Sequence, residues 1–368
     1  MTEAVKHKKE PLLYITKRDD LPFFKSALIH GGGILLALIV CGLIVVLLTG
    51  SSPFEVYEKM YEGTYGGEIT RLPSIHNAAI LLCISLAVTP AFKMKFWNIG
   101  AEGQVLMGGL ASAYWMVYHG DTMEDPLLFT MMVVSSILVG AIWALIPAFC
   151  KAMWNTNETL FTLMMNYVAM TLVSYFVFVS DPSGHKNLGI INERTGYGHL
   201  PILFGEKYYL NIIIVLVVLV FMFIYLKYSK QGYEITVVGE SENTARYIGI
   251  NVKKVILRTL FISGAICGLV GLMIVAGDKH SLNENIVKGQ GFTAIMVSWM
   301  AKFNPLTMVL VSLMIVFLGD GGKSATSALN MDNSIGDVLT AIVIFFIIGF
   351  EFFTRYKINF RKHKKEEQ

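Results

Sequence analysis

Residues 209–226 read YLNIIIVLVVLVFMFIYL, an eighteen-residue run without a single charge. A run this long and this apolar is the mark of a helix crossing a bilayer core, which takes ~20 apolar residues. Comparable runs recur along the 368-residue chain, and 54% of its residues are hydrophobic, with a mean hydropathy of +0.56. Those values exclude an ordinary soluble domain.

Ten crossings are read, at 27–48, 77–96, 99–118, 126–150, 159–179, 209–226, 255–277, 290–301, 305–319 and 336–354. With the N-terminus inside, the inner segments 1–26, 93–98, 151–158, 227–258, 302–304 and 355–368 hold 22 of the 30 basic residues. The outer segments hold the other 8, beside 14 of the 27 acidic residues. Lys and Arg collect on the cytoplasmic side of membrane proteins, so both termini are expected in the cytoplasm. The fold class is an all-α integral membrane protein of about ten transmembrane helices. It divides into a cytoplasmic tail (1–26), a transmembrane domain (27–354) with its longest inner loop at 229–254, and a basic cytoplasmic tail (355–368). The run Ala27–Leu48 is longer than the apolar region of a signal peptide, about 7–15 residues, and is read as a retained span. The weakest crossing is GQGFTAIMVSWMAKF (Gly289–Phe303), which is read as a short helix with extended flanks, shielded by neighbouring helices.

Several function classes fall away. Basic residues flank the spans instead of lining one face, which does not suit nucleic acid. Cys41, Cys83, Cys150 and Cys267 sit within or beside apolar runs without metal-ligand spacing, so they are read as packing residues. No HExxH or GxSxG occurs, and no cofactor or metal is expected. GDGGKSATS (Gly319–Ser327) imitates a phosphate-binding loop, but the position five residues before Gly322 is Phe317, where that loop needs glycine. It is read as a flexible outer loop. Charges in or beside the spans stay near the span ends, with Glu102, Glu158, Arg258 and Glu351 at inner ends and Asp337 at an outer end, which argues against ion-coupled transport.

Three polar segments interrupt the apolar pattern. In KFWNIGAEGQVLMGGLASAYW (Lys95–Trp115), Asn98 is placed to cap the third span. Glu102 lies near that helix's positive end, and Gln104 lies deeper. In NTNETLFTLMMNYVAM (Asn155–Met170), Thr162 and Asn166 share one helix face, where they either bind another helix or line a polar path. In SKQGYEITVVGESENTARYIGINVKK (Ser229–Lys254), Gly239 is expected to break the chain. Glu240–Tyr247 then forms a short helix closed by Gly249. Gly264 and Gly268 form a GxxxG pair for close helix packing.

Together these segments resemble the permease subunits of ATP-binding-cassette importers in the ribose and branched-chain amino acid permease superfamily. NIGAEGQ (Asn98–Gln104) is similar to the nucleoside and simple-sugar branch, and NETLFTLMMNYVA (Asn157–Ala169) to a second segment of that branch. VVGESENTARYIGINVKK (Val237–Lys254) resembles its coupling loop, with NTAR where EAAR is usual. GQGFTAIMVSWMAKFNPL (Gly289–Leu306) resembles a fourth segment, with MAKFNP in place of LGRNNP. The resemblance runs from about Leu72 to Phe353.

It implies a translocating subunit of the bacterial plasma membrane with no ATPase site of its own. The implied partners are an ATP-binding subunit, a second permease subunit, an extracellular substrate-binding lipoprotein and membrane lipid. The implied coupling residues are Gly239, Glu240, Asn243, Ala245, Arg246, Tyr247 and Gly249. The polar residues Asn98, Glu102, Gln104, Thr162 and Asn166 are the candidates for the path. A nucleoside is the expected solute, with a simple sugar or riboflavin as alternatives. An ion-coupled secondary transporter is the competing class.

Overall fold

Prolines and small polar residues mark where this chain turns into helix. Pro53 and Pro126 occupy the first turns of their helices, and Pro305 opens a third. There a missing N–H costs nothing and the fixed φ suits the helix. The computed structural model describes residues 13–17, 23–50, 52–181, 187–329 and 332–360. In order the elements are β1 (Leu13–Lys17), α1 (Phe23–Thr49), α2 (Pro53–Tyr61), α3 (Glu68–Lys93), α4 (Ala101–His119), α5 (Asp125–Trp154) and α6 (Glu158–Ser180). They continue with α7 (Tyr209–Tyr228), α8 (Lys230–Glu240), α9 (Glu242–Tyr247), α10 (Val252–Ile274), α11 (Gln290–Met300), α12 (Pro305–Ala328), α13 (Asn333–Arg355) and β2 (Tyr356–Phe360).

Six described helices are long and apolar enough to cross a bilayer: α3, α5, α6, α7, α12 and α10, the last with the π-helical turn Val275–Lys279 that follows it. Helix α11 has only 11 residues. At ~1.5 Å per residue it covers about half of a hydrocarbon core.

The chain forms two compact units, residues 64–317 and residues 1–63 with 318–368. In the first, α4, α5 and α10 meet through glycine. A Cβ on Gly108 would lie 2.4 Å from the Gly268 Cα, and one on Gly140 would lie 2.5 Å from the Gly264 carbonyl oxygen. Any side chain there forces the helices apart, so the GxxxG pair packs as expected. Helix α3 runs through the middle, with 89% of its apolar window buried against 28% for α5 and for α6. The outer faces of α5, α6 and α7 expose large apolar residues such as Leu138, Val168 and Val217.

The second unit corrects one expectation. GDGGKSATS is not a loop: Gly319–Ser327 lies within α12. Gly322 allows close approach, since a Cβ there would lie 3.1 Å from the Gly336 carbonyl oxygen. The tails carry one short strand each. Leu13–Lys17 pairs antiparallel with Tyr356–Phe360, matching Leu13 to Phe360 and Lys17 to Tyr356. LYITK and YKINF are rich in residues that favour strands. The rest of the two tails, residues 1–12, 18–22 and 361–368, lies outside the described residues.

Candidate functional site

Two places concentrate the polar residues singled out in the sequence. The first is an elbow between α7 and α10, built from three successive helix caps. Ser229 starts α8, accepting from the Gly232 N–H at 2.9 Å. Ser241 starts α9, accepting from the Thr244 N–H at 3.2 Å. Asn251 starts α10, accepting from the Lys254 N–H at 3.1 Å. Ser and Asn do this because their short side chains reach the free N–H groups of a first turn.

The break in the elbow is Ser241. Gly239, expected to interrupt the chain, is inside α8. It is glycine because a Cβ there would lie 2.1 Å from the Lys93 carbonyl oxygen, where α8 crosses the end of α3. Gly249 closes α9 with φ +86°, a conformation that suits glycine. The Gly249 N–H donates to the Arg246 carbonyl and the Ile250 N–H to the Ala245 carbonyl.

Ala245 is fully buried beneath α9, while Glu240, Asn243, Arg246 and Tyr247 are exposed. Tyr247 is 92% exposed, an uncommon state for an aromatic ring beside an exposed Ile248. Arg246 pairs with Glu242 at 3.4 Å across one helical turn. An inner pair, Arg258 to Glu234 at 3.0 Å, ties α10 to α8. The elbow is thus a firm support carrying a short exposed helix.

The second place is the start of α4. Asn98, Glu102, Gln104, Thr162 and Asn166 are each at most 2% exposed. The structure brings all five into one neighbourhood and gives each a hydrogen bond. Asn98 is not the cap residue of α4, a position held by Gly100. From outside the helix its Oδ1 accepts from the Gly100 N–H at 3.0 Å and from Gln104 Nε2 at 3.2 Å. Its Nδ2 donates to Ser263 Oγ on α10 at 3.4 Å.

Thr162 Oγ1 accepts from the Ile99 N–H at 3.1 Å. Asn166 accepts from the Gly103 N–H at 2.8 Å and donates to the Ile99 carbonyl at 2.9 Å. These bonds satisfy the free backbone groups of α4 from the side of α6.

Glu102 serves a different helix from the one expected. Its two oxygens accept from the N–H groups of Gly289 and Gly291, each at 2.8 Å. It therefore caps α11, whose own Gly289 makes no side-chain cap. Gln104 Oε1 is left buried without a hydrogen-bond partner. It is the group of the five with an acceptor still to offer.

Replacing Asn166 with Leu removes two hydrogen bonds to the α4 backbone and leaves the Gly103 N–H and Ile99 carbonyl unmet. Each unmet buried group costs ~1–3 kcal/mol. The expected result is a lower melting temperature, read by thermal unfolding in detergent; an unchanged one would show that these bonds do not hold α4 to α6.

A third polar cluster escaped the sequence reading. His76 and Asp278 are buried, the latter contacted by Lys279 at 2.8 Å and Lys207 at 3.5 Å. His76 Nε2 lies 3.0 Å from Asn211 Nδ2, and its ring lies 4.8 Å from that of Tyr208. A buried histidine was not expected, because the second crossing was started at residue 77, whereas α3 begins at Glu68. The loop 187–200 is held on this end: Leu188, Ile191 and Leu200 donate their N–H groups to the carbonyls of Leu282, His280 and Ala276.

His280 stacks on His199 with ring centroids 3.9 Å apart. Burial, then the neighbouring His199 and Lys207, push the His280 imidazole down from 6.5 to about 4. With the loop open the ring binds a proton more readily, so closure is strongest above pH 6.5 and weakens as the pH falls towards 4. Amide exchange at Leu188, Ile191 and Leu200 is expected to rise through that window beyond the intrinsic pH effect. His280→Asn, whose side chain tolerates the left-handed backbone at φ +49°, is expected to remove the excess.

A family model described as branched-chain amino acid transport system, permease component, matches residues 72–348. The chain is 28% identical over 337 residues to a glucose ABC transporter permease of Haloferax volcanii, across 89% of this chain and 88% of that one. It is 27% identical over 316 residues to a guanosine ABC transporter permease of Bacillus subtilis, across 84% of this chain and 89% of that one. A second guanosine permease protein of Bacillus subtilis is 25% identical over 239 residues, across 62% of this chain and 74% of that one. The family match takes in both the lattice at α4 and the elbow from α8 to α10, and the chain, a multi-pass membrane protein, belongs to this family of transport-system permease components.

Proposed function

We propose that the chain is the translocating subunit of an ATP-driven importer for a nucleoside. The observation that carries this reading is the exposed helix α9 on its triply capped elbow, within a permease family match. Similarity to guanosine permease proteins favours a nucleoside. Similarity to a glucose permease keeps a simple sugar as the second reading. Both solutes offer ring hydroxyls, which call for amide and hydroxyl partners along a path.

ATP is hydrolysed on a separate ATP-binding subunit. The GKS sequence of this chain is inside a helix and offers no phosphate-cradling loop, which supports that division. The ATP-binding subunit docks on Glu240, Asn243, Arg246 and Tyr247. Gly239, Ala245 and Gly249 give the elbow its shape. Asn98, Glu102, Thr162 and Asn166 hold the helix ends beside the path, and Gln104 is the member able to meet solute or water.

Ten crossings are formed by α1, α3 to α7 and α10 to α13, with both termini in the cytoplasm of a bacterial plasma membrane. The pairing of β1 with β2 supports an even number, because it keeps the two chain ends on one side. Residues 1–26 and 355–368 are then the cytoplasmic ends of the transmembrane domain 27–354, whose coupling loop is 229–254. Two guanosine permease proteins in one organism support pairing with a second, different permease subunit. An extracellular lipoprotein delivers the solute.

The test is to identify the ligand retained by the cognate binding protein. A nucleoside is expected. A monosaccharide moves the assignment to the second reading, and a branched-chain amino acid overturns both.

A further inference from the structure

The elbow carries a feature that docking of an ATP-binding subunit on α9 does not use. Between α8 and the first two turns of α10 lies a cleft of about 360 Å³. Its lining includes Lys230, Lys254, Arg258 and Glu234, with Ile250 and Val255 as an apolar wall. Glu234, the acidic residue of that lining, is already committed to Arg258 at 3.0 Å. Lys230 and Lys254 are exposed and have no ion-pair partner among the described residues. The cleft therefore carries two uncompensated positive charges beside an apolar wall.

That combination selects for an amphiphilic anion. A free anion has no use for the wall, and an apolar ligand has no use for the lysines. The cleft also sits where α7 ends and α10 begins, two helices of bilayer-crossing length. Basic pockets between membrane helices at that depth hold anionic headgroups.

We propose that the cleft lined by Lys230, Lys254 and Arg258 binds the phosphate of an anionic phospholipid, with the start of its acyl chains against Ile250 and Val255. The occupied cleft ties α8 to α10 through the lipid as well as through the Glu234–Arg258 pair. The anionic lipid thereby stiffens the support under α9, and coupling depends on it. The placement of α9 as the docking helix rests on the proposed function. Lipid binding at the cleft does not, so the two fail separately.

The test uses the full chain, purified, stripped of lipid and titrated with phosphatidylglycerol or phosphatidylcholine in mixed micelles. Binding is read by native mass spectrometry. Wild type is expected to retain phosphatidylglycerol in preference to phosphatidylcholine. The double variant Lys230→Gln/Lys254→Gln is expected to lose roughly tenfold or more in phosphatidylglycerol affinity. Lys253→Gln removes the same charge from the same helix, at a position outside the cleft lining, and is expected to bind as wild type does.

Both altered lysines are exposed, so melting temperatures should match, which separates lost binding from lost folding. Equal affinity in wild type and double variant overturns the site. Displacement of the lipid by millimolar inorganic phosphate makes it a free-anion site and overturns the lipid assignment. Loss of the lipid preference once ATP-binding subunits are added gives the cleft to the subunit interface and also overturns it.

Discussion

Glu102→Ala is expected to leave a permease that no longer survives purification in detergent. The carboxylate accepts from two backbone N–H groups at the start of α11 while only 2% exposed. Alanine leaves both donors without a partner where water is scarce. At ~1–3 kcal/mol for each unmet group, the loss is roughly 2–6 kcal/mol. Total stability of a domain is only ~5–15 kcal/mol, so this is a large share. The damage centres on α11, too short to be held by its own apolar length.

Glu102→Gln separates charge from geometry. Its amide keeps one acceptor oxygen, but its NH₂ group faces the second N–H, donor against donor. A partial loss is expected, between wild type and alanine. Melting followed by size-exclusion fluorescence measures all three. If Glu102→Ala melts with wild type, the carboxylate is not what holds α11.

Ala245→Pro is expected to do the opposite: keep the membrane helices and abolish transport. The Ala245 N–H donates to the Ser241 carbonyl at 3.0 Å, the bond that closes the first turn of α9. Proline removes that donor and its ring clashes with the turn, at a cost of ~3 kcal/mol or more. Damage stays local because Ser241 and Gly249 bound α9 on either side.

Arg246→Glu asks the same question without disturbing the backbone. It places two like charges one turn apart on an exposed face, which costs only ~0.2–0.5 kcal/mol within the chain. A severe loss of uptake then reports on the docking partner. The melting temperature is expected to hold in Arg246→Glu and to fall in Ala245→Pro without loss of the folded membrane helices, while in both loaded binding protein no longer stimulates the ATPase. Normal stimulation in both would remove α9 from coupling.

Much of this architecture was legible in the chain because one physical signal dominates it. Long uncharged runs fix membrane helices, and the run at 209–226 became α7 within two residues at either end. The short helix at 290–300 was legible too, since GFTAIMVSWM is apolar but too brief for a full span. Local signals near glycine misled. Gly239 and Gly319 were read as breaks, yet both lie inside helices. At Gly239 the missing side chain makes room for a neighbouring carbonyl, a contact between residues far apart in sequence.

The same limit applies to the site. The sequence marks Glu102 as polar and near a helix start, but its acceptor role is owed to Gly289 and Gly291, some 190 residues away. The inward face of Asn166 was visible from helical spacing, whereas its bonds to Ile99 and Gly103 were not. His76 was invisible because the polar first turns of α3 look like a loop until neighbours bury them.

Uptake into proteoliposomes tests the central claim most directly. The chain is reconstituted with its partner permease and ATP-binding subunits, loaded binding protein is added outside, and labelled nucleoside is followed. Accumulation with ATP in the ATP-accessible compartment, unaffected by collapsing proton and sodium gradients, is the expected result. Uptake that proceeds without ATP and stops when either gradient is collapsed would contradict it, and would make the buried His76 and Asp278 the residues to examine next.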